Sequence, residues 1–356
     1  MKKLEYQVSF TTPAFLGNAE QNGQWRTPPF KALIRQWWRV AAARACAYNP
    51  SRLREAEGQL FGAANDEGGG SQKSQVRLRL GSWSEGKLQG AWGNDPRVNH
   101  PEAGPSGRDV GAHLYLGYGP LTFNQGTALK SNAAIQAGES ASLRFAWPDD
   151  ATVVANAIQF MHWFGTLGGR SRNGWGSVAL QHESIVAVMP SQSGIQSGLL
   201  QSVSRPLTEC LDLDWPHAIG RSADGRVLIW KSKEIFGDWR QVMQFLARNK
   251  IGFRTTLFPL GAPGRFEERH LLAYPVTNHA IQAWGNQARL ANQLRFKVVQ
   301  GPDGRFSALS YHLPCNLPRD LVQKLGPQAP KLQAQEAVWS RVHSWLDNPV
   351  NGFARI

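Results

Sequence analysis

The sequence predicts an α+β fold. Two observations carry this prediction. Stretches with the two-residue alternation of half-buried strands are interleaved with stretches at helical spacing, and this interleaving recurs in the second half of the chain. The chain has 356 residues, 42% of them apolar, enough to bury a core in one large domain or two ordinary ones.

The first strand is read at residues 4–10, where Leu4, Tyr6, Val8 and Phe10 alternate with polar residues. Thr27-Pro28-Pro29 then signals a helix start, with Thr27 as the expected cap. Phe30, Ile34, Trp37, Trp38, Ala41 and Ala45 follow as one apolar stripe. A strand is expected at Val76–Leu80 and another at Ser140–Trp147. A helix is expected after Asp149-Asp150, read as cap and dipole partners, with Val154, Ala157, Ile158, Met161 and Phe164 inward. A glycine-rich segment, Gly168–Ser177, leads into a strand at Val178–Leu180. Residues 189–206 read as a linker. Beyond it, strands are expected at Arg226–Trp230, Leu271–Val276 and Leu294–Val299, and helices at Asp238–Leu246 and Ala334–Leu346. Residues 84–111 are rich in glycine and read as a long functional or mobile loop. The expected division is 1–190 and 191–356.

Charge narrows the function. The formal net charge is +13, with 39 basic residues against 26 acidic ones. A globular chain this basic points to a polyanion, nucleic acid or a membrane surface, with a solvated basic surface as the alternative. No apolar run approaches the ~20 residues of a membrane span, and Met1–Glu5 lacks a signal-peptide core, so the expected location is cytoplasmic. Cys46, Cys210 and Cys315 are scattered without ligand spacing, so no metal site is expected.

Two segments concentrate the positive charge. Lys31, Arg35 and Arg39 recur every four residues along the first helix, and Arg44 extends the row. No acidic residue lies between Glu20 and Glu55, which favours a polyanion over a solvated face with acidic partners elsewhere. In the second segment, Gly168, Gly169 and Gly174 let the main chain approach a ligand, Ser171 lies between the arginines, and Arg170 and Arg172 supply bidentate phosphate donors. The alternative is a tight turn that merely needs glycine. A Walker A sequence is missing, and helix precedes the loop while strand follows it, the reverse of a dinucleotide fingerprint, so no nucleotide cofactor is expected.

Thr166-Leu167-Gly168, five residues with arginines, then Gly174-Trp175-Gly176 resembles the glycine-rich loop of the RAMP superfamily of CRISPR proteins. Thr166 stands where that pattern has its first glycine. Thr12-Pro13-Ala14-Phe15-Leu16-Gly17 and the run from Arg26 to Arg39 are similar to the first RAMP subunit of the type III-B (Cmr) effector complex. Leu60-Phe61-Gly62 and Arg289–Val298 also fit it, the latter adding Arg295 and Lys297 as candidate RNA contacts. The resemblance implies two ferredoxin-like (RRM-like) domains with long loop insertions. It implies a non-catalytic, RNA-binding subunit of a ribonucleoprotein in antiviral defense, contacting the 3′ side of the guide RNA and the target RNA at the end of the filament. Guide RNA, target RNA and other CRISPR effector subunits are the implied partners; no membrane is.

An alternative is a metal-independent endoribonuclease that processes CRISPR guide RNA, which would need a general acid and base near the RNA. His162 lies near the inner stripe of its helix and is expected to be packed. His113, His270 and His279 are isolated, and no histidine precedes His100, where the guide-processing enzymes of the superfamily carry one near the first helix. The expectation is therefore no catalytic residue.

Overall fold

The computed structural model describes residues 1–64, 71–189 and 197–356. The chain separates into two units: residues 1–95, 116–190 and 297–306 in one, and 96–115, 191–296 and 307–356 in the other. The division at 190 is thus crossed twice, because residues 96–115 join the second unit and 297–306 the first.

In chain order the first half runs β1 (Lys2–Phe10), α1 (Thr27–Ala42), α2 (Pro50–Phe61), β2 (Arg77–Leu80), β3 (Arg97–His100), β4 (Arg108–Gly111), α3 (Ala112–Gly117), β5 (Leu121–Phe123), β6 (Thr127–Leu129), β7 (Ser140–Trp147), α4 (Val153–Phe164) and β8 (Val178–Gln181). The second half runs α5 (Ser197–Ser202), β9 (Ser204–Pro206), α6 (Leu207–Cys210), β10 (Ile219–Arg221), β11 (Ile229–Ser232), α7 (Trp239–Leu257), β12 (Leu294–Gln300), β13 (Phe306–His312), α8 (Arg319–Leu325), α9 (Leu332–Asp347) and β14 (Phe353–Arg355).

The first unit is built on a four-stranded sheet in the order β2-β7-β1-β8, all pairs antiparallel. Alternation along β1 sends Tyr6, Val8 and Phe10 inward, and along β7 it sends Ala141, Leu143, Phe145 and Trp147 inward. Helix α1 buries Phe30, Leu33, Ile34, Trp37 and Trp38, and α4 buries Val154, Ala157, Ile158, Met161 and Phe164. Trp37 stacks on Phe164 at 5.2 Å between ring centres, which joins the two helices. The cap of α1 is Arg26, not Thr27, and it makes no side-chain bond; Pro28 and Pro29 set the first turn. Thr152 precedes α4, so Asp149 and Asp150 lie outside the cap position.

Another four-stranded sheet runs in the order β12-β13-β11-β14. The succession β11, α7, β12, β13, α9, β14 and its strand order repeat the plan of β1, α1, β2, β7, α4, β8. Helix α7 runs eleven residues past the expected end at Leu246, because Ile251 and Phe253 remain buried beyond it. It is capped by Asp238, whose carboxylate accepts the Arg240 amide at 3.0 Å. Residues 271–276 do not form the expected strand: a 3₁₀ turn ends at Leu271, and Pro275 offers no donor to a ladder. Of the expected linker, 190–196 lie outside the described residues, and β9 pairs in parallel with β10.

The long stretch at 84–111 is not a structureless loop. β3 and β4 form a hairpin in the second unit. The Gln244 side chain donates to the Arg97 carbonyl at 2.9 Å, and buried Arg269 holds Glu102 through two bonds of 2.6 and 2.7 Å. A bidentate guanidinium–carboxylate pair of this kind fixes both distance and orientation.

Candidate nucleic-acid interface

The glycine-rich loop belongs to the first unit and joins α4 to the edge strand β8. It wraps around the segment after β1. The Gly169 amide donates to the Phe15 carbonyl at 3.0 Å and the Gly176 amide to the Pro13 carbonyl at 2.9 Å. Thr12 Oγ1 donates to the Gly174 carbonyl at 2.8 Å and accepts the Ser177 amide at 3.1 Å. Two glycines are required by geometry. At Gly168, with φ +90°, a Cβ would stand 2.6 Å from the Phe15 carbonyl oxygen; at Gly176, with φ +61°, it would stand 1.9 Å from that of Leu167.

This packing corrects one expectation. The amides of Gly169, Ser171, Asn173, Gly174 and Gly176 all donate to carbonyls of the protein. They do not form an open anion-binding concavity, and the glycines serve the turn and the close approach to the 12–17 segment. What the loop presents outward is Arg170. It is exposed, with φ +56°, and its Nε donates to the Tyr118 carbonyl at 2.5 Å. The guanidinium is therefore tied at the tip through Nε while, among the described residues, no carboxylate pairs with it. Arg172 is half-buried two residues on, and Ser171 is half-buried between them. Asn173 is buried and its Nδ2 donates to the Leu116 carbonyl at 2.8 Å, which ties the loop to the end of α3.

The basic row on α1 has a different fate. Arg35 Nε donates to Glu57 Oε1 at 2.6 Å, and Arg39 donates to both Glu57 oxygens at 2.6 and 2.7 Å. Burial alone would raise the Glu57 carboxyl, but the bonds from Arg39 and Arg35 outweigh it and hold the group below the usual carboxylate range. Arg35 and Arg39 are thus committed to a partner within the fold. The acidic partner is distant in sequence and arrives on α2, a helix not expected from the sequence. Its signals were present: Asn49 caps through Oδ1, Pro50 opens the first turn and Gly62 ends it with φ +85°. Lys31 is half-buried, and Arg44 is exposed beyond the end of α1.

The late basic strand is corrected outright. Arg295 is 5% exposed and Lys297 2% exposed. Lys297 Nζ donates to the carbonyls of His162 and Val178 at 2.5 and 2.6 Å, and burial drives its pKa far below the usual lysine range. Neither side chain is placed to meet a ligand. Beside them, Val298 is fixed by Thr11 Oγ1 donating to its carbonyl at 2.7 Å and by Ser177 Oγ accepting its amide at 2.9 Å.

His162 has both ring nitrogens engaged. Nδ1 accepts the Leu180 amide at 3.0 Å, so Nε2 carries the proton and donates to the Ala187 carbonyl at 3.1 Å. Burial and the neighbouring Lys297 pull its pKa down to about 4. Among the described residues, no group of three His, Cys, Asp or Glu is arranged to hold a metal, and no helix is long and apolar enough to cross a membrane.

No protein-family model and no curated protein matches the sequence. Among solved structures, the chain is similar to Cmr1 from Pyrococcus furiosus (apo form), at 13% identity and a TM-score of 0.46, covering 97% of each chain. It is similar to a chain of the type III-B Cmr-beta complex bound to cognate target RNA and AMPPnP in the presence of ssDNA, at 9% identity and a TM-score of 0.47, covering 96% of this chain and 98% of that one. A chain of the same complex bound to cognate target RNA gives 11% identity and a TM-score of 0.45, covering 96% and 100%.

Proposed function

We propose that this chain is a non-catalytic RNA-binding RAMP subunit of a type III-B CRISPR effector complex, grips RNA by its phosphates, and works in antiviral defense in the cytoplasm. The observation that carries the reading is Arg170, a guanidinium held at the outer tip of a hydrogen-bonded loop with no carboxylate partner among the described residues. Arg172 lies two residues on, and the +13 charge of the chain supplies the long-range attraction. The repeated strand–helix–strand–strand–helix–strand plan fits two ferredoxin-like domains. The resemblance of the loop and of the 12–39 segment to the first RAMP subunit supplies the rest: guide RNA on its 3′ side, target RNA, and neighbouring effector subunits as partners. His162, with both ring nitrogens bonded to backbone, supports a role without acid–base chemistry.

The test is RNA affinity of the full chain over a salt series. Changing Arg170 and Arg172 together to Ala lowers affinity about tenfold or more and flattens the salt dependence by about 0.7 for each phosphate no longer neutralised. Unchanged affinity and slope would remove the loop from the interface. Specific cleavage of repeat RNA by the purified chain in EDTA would replace the binding-only reading with the guide-processing one.

A further inference from the structure

The outer face of the first unit's sheet carries a cluster that the glycine-rich loop does not use. In β2, alternation places Arg77 and Arg79 on the exposed side, and β2 is an edge strand. The register sets Arg79 directly opposite Arg144 on β7, and Arg144 directly opposite Glu5 on β1. Glu5 is taken by Arg144, with bonds of 2.8 and 3.3 Å. One carboxylate therefore serves a row of two guanidiniums. Arg79 is exposed and, among the described residues, has no carboxylate partner. Like charges directly opposite on adjacent strands repel, and a bound anion would relieve that repulsion.

The chain leaves β2 at Gly81, where a Cβ would stand 2.3 Å from Ser142 Oγ, so the exit lies tight against β7. Trp83 follows, its carbonyl held by the Gln24 side chain at 2.8 Å. Of fourteen tryptophans, Trp83 is the one left largely exposed, at 59%. Trp83 lines a cleft of about 600 Å³ that also includes Thr27, Arg79, Ser142 and Arg144. An exposed indole beside an unpaired guanidinium and a hydroxyl matches the three parts of a nucleotide in a single strand: base, phosphate and sugar. The two arginines on the edge strand also discourage addition of a partner's β-strand there.

We propose that this cleft is a second RNA subsite, where an unpaired base stacks on Trp83 and the adjoining phosphate is taken by Arg79. The proposal rests on the RNA-binding reading above. Fluorescence anisotropy of a short labelled oligouridine with the full chain tests it. Trp83→Ala weakens binding about tenfold, and Trp83→Phe restores most of it, because any aromatic face serves for stacking. Arg79→Ala lowers the salt slope by about 0.7, one phosphate on a single strand. In the unsubstituted chain, a photoreactive 4-thiouridine oligomer crosslinks to the peptide containing Trp83, a readout that does not depend on how a variant folds. If both substitutions leave affinity and slope unchanged and the crosslink falls elsewhere, while Arg170 and Arg172 still matter, the cleft proposal is overturned and the RNA-binding reading stands. If the unsubstituted chain binds no RNA, both fall. If the variants bind RNA normally but no longer join other effector subunits, the cleft is a protein contact and the proposal is overturned.

Discussion

Two short basic segments, Arg170-Ser171-Arg172 and Arg295-Phe296-Lys297, look alike in sequence and end in opposite environments. The first sits on a loop whose tip is exposed, with Arg170 anchored through Nε. The second lies in β12, where residues 294–298 are all buried. A strand buried on both faces leaves no outward position, so the usual alternation cannot send alternate side chains to water. The lysine is tolerated because two backbone carbonyls accept from it and because its proton is easily lost. Charge spacing therefore does not distinguish a phosphate grip from an internal tie; the number of layers covering the strand does.

The contrast is broken most directly at Lys297. Lys297→Ala opens a cavity and strands two carbonyls, and is expected to lower stability by about 4 kcal/mol in denaturant unfolding. A stable variant with weakened RNA binding would return Lys297 to the interface. Acid is the next lever. Burial, with Arg355 nearby, holds His343 neutral down to about 3, and buried His312, 3.0 Å from it, titrates well below the ordinary histidine range. The unfolded imidazoles take protons near pH 6.5, so the unfolded state binds more protons between pH 6.5 and 3. Stability is fully present above pH 6.5 and is lost progressively as pH falls through that window, by a few kcal/mol for the pair on the order expected for buried groups. Urea midpoints at pH 7, 5 and 4 measure it, and a flat profile would place the two rings in contact with water.

Third comes the loop itself. The Arg170/Arg172 double alanine variant loses on the order of 1.4 kcal/mol of RNA affinity, the tenfold change stated above, with little change in unfolding midpoint. A large stability loss instead would make the loop arginines internal ties like Lys297. The smallest effect is expected at Glu57. Glu57→Ala releases two partly exposed arginines that water can solvate, costing about 1 kcal/mol of stability. RNA affinity then stays level or rises slightly; a fall would show that the clamp positions the row for RNA.

Much of the fold was legible because it is governed by local rules. The alternation of β1 and β7 and the apolar stripes of α1 and α4 each follow from one period matched to one buried face. The hairpin of β3 and β4 was not legible, since its turn is glycine-rich and its stability comes from Arg269 and Gln244, far along the chain. The strand expected at 271–276 failed at Pro275. Of the candidate site, Arg170 stands exposed, whereas the loop amides are taken by carbonyls, Arg35 and Arg39 are paired with Glu57, and Arg295 and Lys297 lie in the core. Trp83 was hidden among fourteen tryptophans, because no periodic pattern surrounds it.

By itself, then, the sequence determined the α+β class, the main strands and helices of the first unit and the excess of positive charge. Each depends on neighbours within a few residues or on composition. Only the tertiary structure decided which cations face outward. That choice depends on what packs over each strand and which distant carboxylate or carbonyl reaches each side chain, as Glu57 does for Arg35 and Arg39 and the His162 and Val178 carbonyls do for Lys297. A buried charge is stable only with such partners, and their positions are set by the fold as a whole.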